Sequence, residues 1–228
     1  MNISDAELQT LLIHIFDIVG TVIFAVTGAV RGVRLKLDLL GVIVFSCTVG
    51  VGGGMIRDCL IGAVPVSAFQ NEIYLISCIA TGLIVFFLAP LVRKVRNIIL
   101  VCDAFGLGVF TAIGAAKCAE MGMTFTGVIL GGVFTAVGGG VIRDIMSSRI
   151  PVVLTSDFYA TASLIGAIFY CILIRTTTLP FFWTFLMVMI FVTGVRLLAI
   201  RYKLRLPVSG GTASVVFFRR GGRKEKPE

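Results

Sequence analysis

Six ionisable side chains stand where an apolar chain has least use for them. Asp17, Arg57, Asp58, Asp103, Arg143 and Asp144 all fall inside long apolar runs. Four of them close two octapeptides that differ at one position, VGGGMIRD (Val51–Asp58) and VGGGVIRD (Val137–Asp144). A charge near the centre of a bilayer costs about 2.5–3.5 kcal/mol on insertion scales, so such a residue faces an opposite charge or a water-filled cavity. Carboxylates attract cations and cap neighbouring loops, and an arginine among them balances their charge. The expected pairs are Asp17 with Arg57 and Asp103 with Arg143, with Asp58 and Asp144 beside them.

The glycines of the same octapeptides, Gly52, Gly53, Gly54, Gly138, Gly139 and Gly140, suggest a second kind of chemistry. Each glycine inside a helix costs roughly 1 kcal/mol relative to alanine. Three together make a weak point where a helix can bend or open. Freed carbonyls in lipid must be satisfied by protein, water or an ion, and carbonyl oxygens are hard ligands suited to a monovalent cation. The alternative is close helix packing. That reading suits Gly28/Gly32 and Gly127/Gly131, spaced i,i+4. Three consecutive glycines cover most of a helix circumference, which favours a bend.

The elements that position these residues are membrane helices. Of the 228 residues, 57% are hydrophobic and only 14% charged, whereas soluble domains are about a quarter charged. Seven apolar stretches are long enough to cross a hydrocarbon core of about 30 Å. They are Leu11–Val30, Leu37–Ile61, Ile73–Leu91, Asn97–Lys117, Thr124–Ile145, Phe158–Ile174 and Leu179–Ile200. Their unbroken apolarity argues for helices and against a membrane barrel. The first run follows Asp5 and Glu7 rather than a basic segment, so it reads as a retained span and not a cleaved signal peptide.

Lys and Arg accumulate on the cytoplasmic side. With the N-terminus outside, Arg57, Lys117 and Arg175 are the three outer basic residues and the other 17 of 20 lie inside. The topology is therefore N-out and C-in. The net charge of +8 reflects this bias and the segment 207–228, read as a basic cytoplasmic tail near anionic lipid. Residues 1–206 form the membrane domain. No nucleic-acid partner is implied.

The octapeptides belong to a longer repeat offset by 86 residues. From Asp17 to Val66, 17 of 50 ungapped positions match their counterparts from Asp103 to Val152, in a window that begins and ends on matches. The matches include Asp, Arg and Pro, which apolar composition alone would not produce. Repeat one covers about 11–91, repeat two about 97–174, and the seventh helix about 179–200. Three spans per repeat is an odd number, so the second repeat enters from the opposite face. Inverted repeats are typical of transporters and channels, with the pathway at their interface.

Enzyme chemistry is not indicated. No nucleophile–base–acid set or Walker-type loop is present. The six cysteines include no CxxC pair, and His14 is the only histidine. No cofactor is expected, and no metal beyond a permeant monovalent cation.

The duplicated GGGxxRD in spans two and five resembles the prokaryotic branch of the trimeric intracellular cation (TRIC-type) channel family, also known as the bacterial glycine-transporter-domain inner-membrane family. The resemblance covers roughly residues 10–205. It implies a homotrimer in the bacterial or archaeal cytoplasmic membrane, a pore through each protomer, and kinks at Gly52–Gly54 and Gly138–Gly140. Potassium would be the main permeant ion. Arg57, Asp58, Arg143 and Asp144 would carry the motif's charges. Animal members have Lys-Glu-Val in the second repeat where this chain reads GGGVIRD, so animal-type phosphoinositide regulation is not expected. Two functions follow from the sequence: a passive channel for potassium or sodium, and a secondary transporter of glycine or another small neutral solute.

Overall fold

The computed structural model describes residues 5–94, 97–155 and 158–202. The expected cytoplasmic tail, 207–228, lies outside the described residues. Backbone polar groups in lipid must be satisfied within their own segment, which an apolar chain achieves as helix. The described residues form ten helices: α1 (Asp5–Arg34), α2 (Leu39–Ile61), α3 (Ser67–Gln70), α4 (Ile73–Phe87), α5 (Ala89–Lys94), α6 (Ile98–Glu120), α7 (Phe125–Met146), α8 (Val152–Thr155), α9 (Ala160–Thr176) and α10 (Phe181–Tyr202).

Five of these, α1 from Thr10, α2, α6, α7 and α10, are long and apolar enough to cross a membrane. The third and sixth expected spans are shorter helices. α4 has 15 residues and α9 has 17, about 22 and 25 Å at the helical rise. The third expected span continues to Leu91, but α4 stops at Phe87 and α5 begins at Ala89. Pro90 is the cause: it lacks an N–H and its ring crowds the preceding turn, so it fits only the first turn of a new helix.

Local capping repeats with the sequence. The Asp38 carboxylate accepts the Gly41 N–H at 2.7 Å to start α2. The Thr124 hydroxyl accepts the Gly127 N–H at 3.3 Å to start α7. Each cap satisfies a donor that the first helical turn leaves open. α2 ends on Gly62 at φ 70°, in the left-handed region that favours glycine.

α1, α2 and α4 pack on one another, and α6, α7 and α9 do the same. The two triplets of helices meet through α1 on α6 and α2 on α7, while α10 lies on α6 and α9. Phe24 of α1 packs among Leu107, Phe110 and Ile113 of α6 in the largest core. Gly28 and Gly32 serve the expected packing: a side chain at either would meet backbone of α2 at Phe45 or Val42. Gly131 lies against Cys118 of α6. Gly127 departs from the expectation, facing only Met123 and Thr124 at its own helix start. α2 and α7 are helical without interruption through both glycine triplets.

Candidate functional site

The first charge cluster is built on the last turns of α2. Arg57, 1% exposed, donates through Nε to Asp58 Oδ1 at 2.9 Å and through Nη2 to Asp17 Oδ2 of α1 at 3.4 Å. Both Asp58 oxygens are used. Oδ1 also takes Lys117 Nζ at 3.0 Å, and Oδ2 takes the Ser67 N–H at 2.9 Å. Lys117 donates to Ser67 Oγ at 2.7 Å as well. Asp58 thus ties α2, α6 and the start of α3 together. The Tyr74 hydroxyl donates to Asp17 Oδ2 at 3.2 Å and lies 3.2 Å from His14 Nδ1.

The second cluster repeats this plan on α7. Arg143 donates through Nη1 to Asp103 Oδ1 of α6 at 2.6 Å and through Nε to Asp144 Oδ1 at 3.0 Å. Asp144 Oδ2 accepts the Val152 N–H at 2.9 Å. Thr27 of α1 accepts a longer bond from Arg143 Nη1 at 3.4 Å. Arg31 donates through Nε to Ser147 Oγ at 2.9 Å, beside this cluster. Both pairings expected from the sequence are therefore present as buried ion pairs. Charge-assisted bonds of this kind are the strong class of hydrogen bond, and in a low dielectric each partner depends on the other.

α1 and α6 run in opposite directions between the clusters. α1 supplies Asp17 to the first and Thr27 to the second; α6 supplies Lys117 to the first and Asp103 to the second. Ten residues of α1 separate its two contributions, roughly 15 Å of helix.

Between the clusters α2 crosses α7 at the glycine triplets. A Cβ on Gly53 would collide with the Thr135 carbonyl oxygen, and one on Gly139 would lie 2.6 Å from the Val49 carbonyl oxygen. These contacts exchange under the 86-residue offset, since Thr135 corresponds to Val49. A Cβ on Gly52 would lie 2.5 Å from Ile142 Cδ1, and one on its counterpart Gly138 would lie 3.0 Å from Ile56 Cδ1. The third glycines differ. A Cβ on Gly54 would meet only Arg57 Nη2 at 3.6 Å, whereas one on Gly140 would lie 2.7 Å from the Tyr159 hydroxyl. The middle glycines are thus where the two backbones come closest; Gly138 also lies against the Gly53 backbone, and Gly52, Gly54 and Gly140 face side chains first.

A cavity of about 360 Å³ opens on the first cluster. Asp17, His14, Tyr74, Ser67, Lys117 and Glu120 are among its lining residues. It offers carboxylate, hydroxyl and ammonium groups together. Among the described residues, no group of three or more His, Cys, Asp or Glu is placed to hold a metal ion.

Sequence reasoning missed three pairs of site residues. Lys117 and Arg31 stand 86 residues apart and both are basic, so the repeat itself carried that signal. Tyr74 and Tyr159 are 85 apart, as are Ser67 and Val152, whose N–H groups cap Asp58 and Asp144. One residue has dropped out of the second half near Pro151, and an ungapped comparison loses the register there.

Comparison with known proteins places this geometry. The chain matches the glycine transporter family twice, over residues 14–90 and 100–175. The UPF0126 membrane protein of Vibrio cholerae is 40% identical over 90% of this chain and 85% of its own length. The UPF0126 inner membrane protein YadS of Escherichia coli K12 is 36% identical, over 86% of this chain and 96% of its own. Among solved structures, the trimeric intracellular cation channel orthologue from Rhodobacter sphaeroides aligns with a TM-score of 0.81 at 30% identity, covering 85% of this chain and 99% of that one. With the family's pattern in both halves and close relatives along most of its length, this chain belongs to the glycine transporter family of membrane proteins, in its prokaryotic TRIC-type branch.

Proposed function

We propose that the protein is a potassium-conducting monovalent cation channel of the bacterial inner membrane, and not an enzyme. The observation that carries this reading is the pair of buried ionic clusters on opposite sides of the α2–α7 crossing, one of them open to a cavity. Four buried ion pairs join Asp17, Arg57, Asp58, Asp103, Arg143 and Asp144, and the half-buried Lys117 adds a fifth at the cavity, a concentration of charge that lipid-facing packing does not call for. Arg57 Nη1 is buried without a protein partner. An unsatisfied buried donor costs about 1–3 kcal/mol, which a water in a hydrated path removes. The solved Rhodobacter sphaeroides relative is described as a trimeric cation channel, and we extend both properties to this chain: a homotrimer with one path per protomer.

In this reading α4 and α9 complete seven spans despite their length, and the halves are inverted across the membrane. The N-terminus lies outside, and the tail 207–228 rests near anionic lipid inside. Cations enter past Asp17, pass the glycine crossing and leave past Asp103. Gating bends α2 and α7 at Gly52–Gly54 and Gly138–Gly140. A bend there separates the two backbones where they come closest, at Gly53 and Gly139.

A second reading rests on the cavity. Asp17 and Glu120 can take an ammonium while Lys117 takes a carboxylate, which suits a zwitterion such as glycine. Reconstitution separates the two. In planar bilayers the purified protein should carry stepwise currents that reverse near the potassium equilibrium potential. Absence of current, with saturable and gradient-driven uptake of labelled glycine into proteoliposomes, overturns the channel in favour of the transporter.

A further inference from the structure

The two halves share their charges but not their third glycine, and the difference involves a helix outside the repeat. Tyr159 is 1% exposed, and its hydroxyl lies over Gly140, where Asp103 Oδ1 also comes close, without a hydrogen-bond partner of its own. Its counterpart Tyr74 lies instead along the open cavity, hydrogen-bonded to Asp17. The Tyr159 ring is covered by Arg196 of α10, whose guanidinium carbon is 4.8 Å from the ring centroid. Arg196 is 3% exposed. A desolvated guanidinium over an aromatic face is an attractive pair. Phe158, just before Tyr159, has φ 58°. That backbone region is strained for a bulky residue and persists only where the surroundings impose it.

We propose that Arg196 is a positioning residue that holds Tyr159 over Gly140 and Asp103, closing the second-half end of the pathway while the first-half end stays open to the cavity. The proposal rests on the channel reading given above. The seventh helix then has a physical role: it breaks the symmetry of the duplicated halves and makes one end the gate. Release of Tyr159 uncovers Gly140 and frees α7 to bend.

Full-length wild type and the variants Arg196→Gln, Arg196→Lys, Tyr159→Leu and Arg196→Gln/Tyr159→Leu test this in planar bilayers. Loss of a buried cation–π contact should raise open probability about 2- to 30-fold in Arg196→Gln and in Tyr159→Leu. Arg196→Lys keeps the cation and should stay within about 2-fold of wild type. The double variant should open no more than the larger single effect, because both changes remove one contact. A rise in Tyr159→Leu without one in Arg196→Gln, or multiplication of the two effects in the double variant, overturns the latch while the channel stands. Hydrogen exchange in the first turn of α9, where the Ser163 N–H bonds the Tyr159 carbonyl, decides the point without any current. Arg196→Gln should speed that exchange at least several-fold, and unchanged exchange overturns the latch. A wild type that carries no current overturns the channel reading separately, and the exchange result then stands alone on whether Arg196 holds Tyr159.

Discussion

Alanine placed in turn at Gly52, Gly53 and Gly54 should give three different results, although the three residues are neighbours. Glycine to alanine inside a helix gains about 1 kcal/mol from propensity alone. At Gly54 the new methyl meets only Arg57 Nη2 at 3.6 Å, an ordinary contact. Gly54→Ala should therefore keep most of the gain. At Gly52 the obstacle is Ile142 Cδ1, the free end of a side chain that can rotate away, so the net change should be near zero. At Gly53 the obstacle is the Thr135 carbonyl oxygen, which is backbone and cannot rotate. The counterpart Gly139 sets the scale. Moving its Cβ from 2.6 Å to the 3.4 Å of an ordinary contact requires α2 and α7 to part by about 0.8 Å. Overpacking of this kind costs about 1–3 kcal/mol, of which the helix gain offsets about 1 kcal/mol. Gly53→Ala and Gly139→Ala should each lose up to about 2 kcal/mol, or up to about 8 °C at 2–4 °C per kcal/mol.

Thermal unfolding in detergent, followed by circular dichroism and by retention of the folded species on a sizing column, reads these shifts. Bilayer currents add the functional half. If the triplet bends during gating, Gly54→Ala should melt at or above wild type and still conduct less, because alanine stiffens the turn. Gly53→Ala melting above wild type while Gly54→Ala melts below it would overturn this assignment of contacts. Equal midpoint shifts for all three alanines would overturn it too, since each methyl meets a different atom.

Removing one partner of a buried ion pair is strongly destabilising, by about 3–5 kcal/mol. Asp103 bonds Arg143 at 2.6 Å and Asp17 bonds Arg57 at 3.4 Å, so Asp103→Asn should lower the melting midpoint more than Asp17→Asn. Arg57→Lys keeps the charge but loses the planar fork that reaches Asp58 and Asp17 together; it should destabilise measurably in the same melt, and the prediction fails if the midpoint is unchanged. Lys117 is 20% exposed and bonds both Asp58 and Ser67. Lys117→Met should cost about 1–2 kcal/mol and leave Arg57–Asp58 intact, visible as faster hydrogen exchange in α3 with little change in α2.

The charges were legible in the sequence because they were conspicuous. In an apolar chain an aspartate needs a partner, and the repeat halved the choices: Asp17 and Asp103 had to meet equivalent arginines. The role of each glycine was not legible. The sequence shows three consecutive glycines and argues for a weak turn. Only the crossing of α2 and α7 shows that Gly53 meets backbone, Gly52 a movable side chain and Gly54 its own helix's arginine. Tyr159 was hidden for a different reason. It follows the one-residue slip after Pro151, and the residue that covers it, Arg196, belongs to a helix with no counterpart in the repeat. Sequence reasoning assigned Arg196 only to the topogenic charges, because the charge bias records which side a residue lies on and not what it touches. The break at Leu88 was readable in principle from Pro90, but the apolar run carried on through it to Leu91.

The duplicated phrase also explains how two distant ends can be coupled. Each arginine bonds the aspartate that follows it and one on the first helix of its own half, and Arg143 adds only a longer bond to Thr27 of the other half. Lys117 and Arg31 do the opposite. Lys117 reaches from the second half to Asp58 and Ser67 of the first, and Arg31 reaches from the first half to Ser147 of the second. A movement of α2 relative to α7 at the glycine crossing therefore pulls on a cross-half bond at both ends. Packed cores respond to such strain by switching between arrangements and not by deforming smoothly. The cross-half bonds differ in strength, since Lys117 makes an ion pair at 3.0 Å and Arg31 makes a bond to a neutral hydroxyl at 2.9 Å. Both bonds are charge-assisted, but the Lys117–Asp58 pair adds the attraction of two opposite charges, which a bond to a neutral hydroxyl lacks. The Arg31 end should part first. Arg31→Met should accordingly change gating less than Lys117→Met, because it removes the weaker restraint. Equal or reversed effects on open probability would mean that the halves do not move against each other at these contacts.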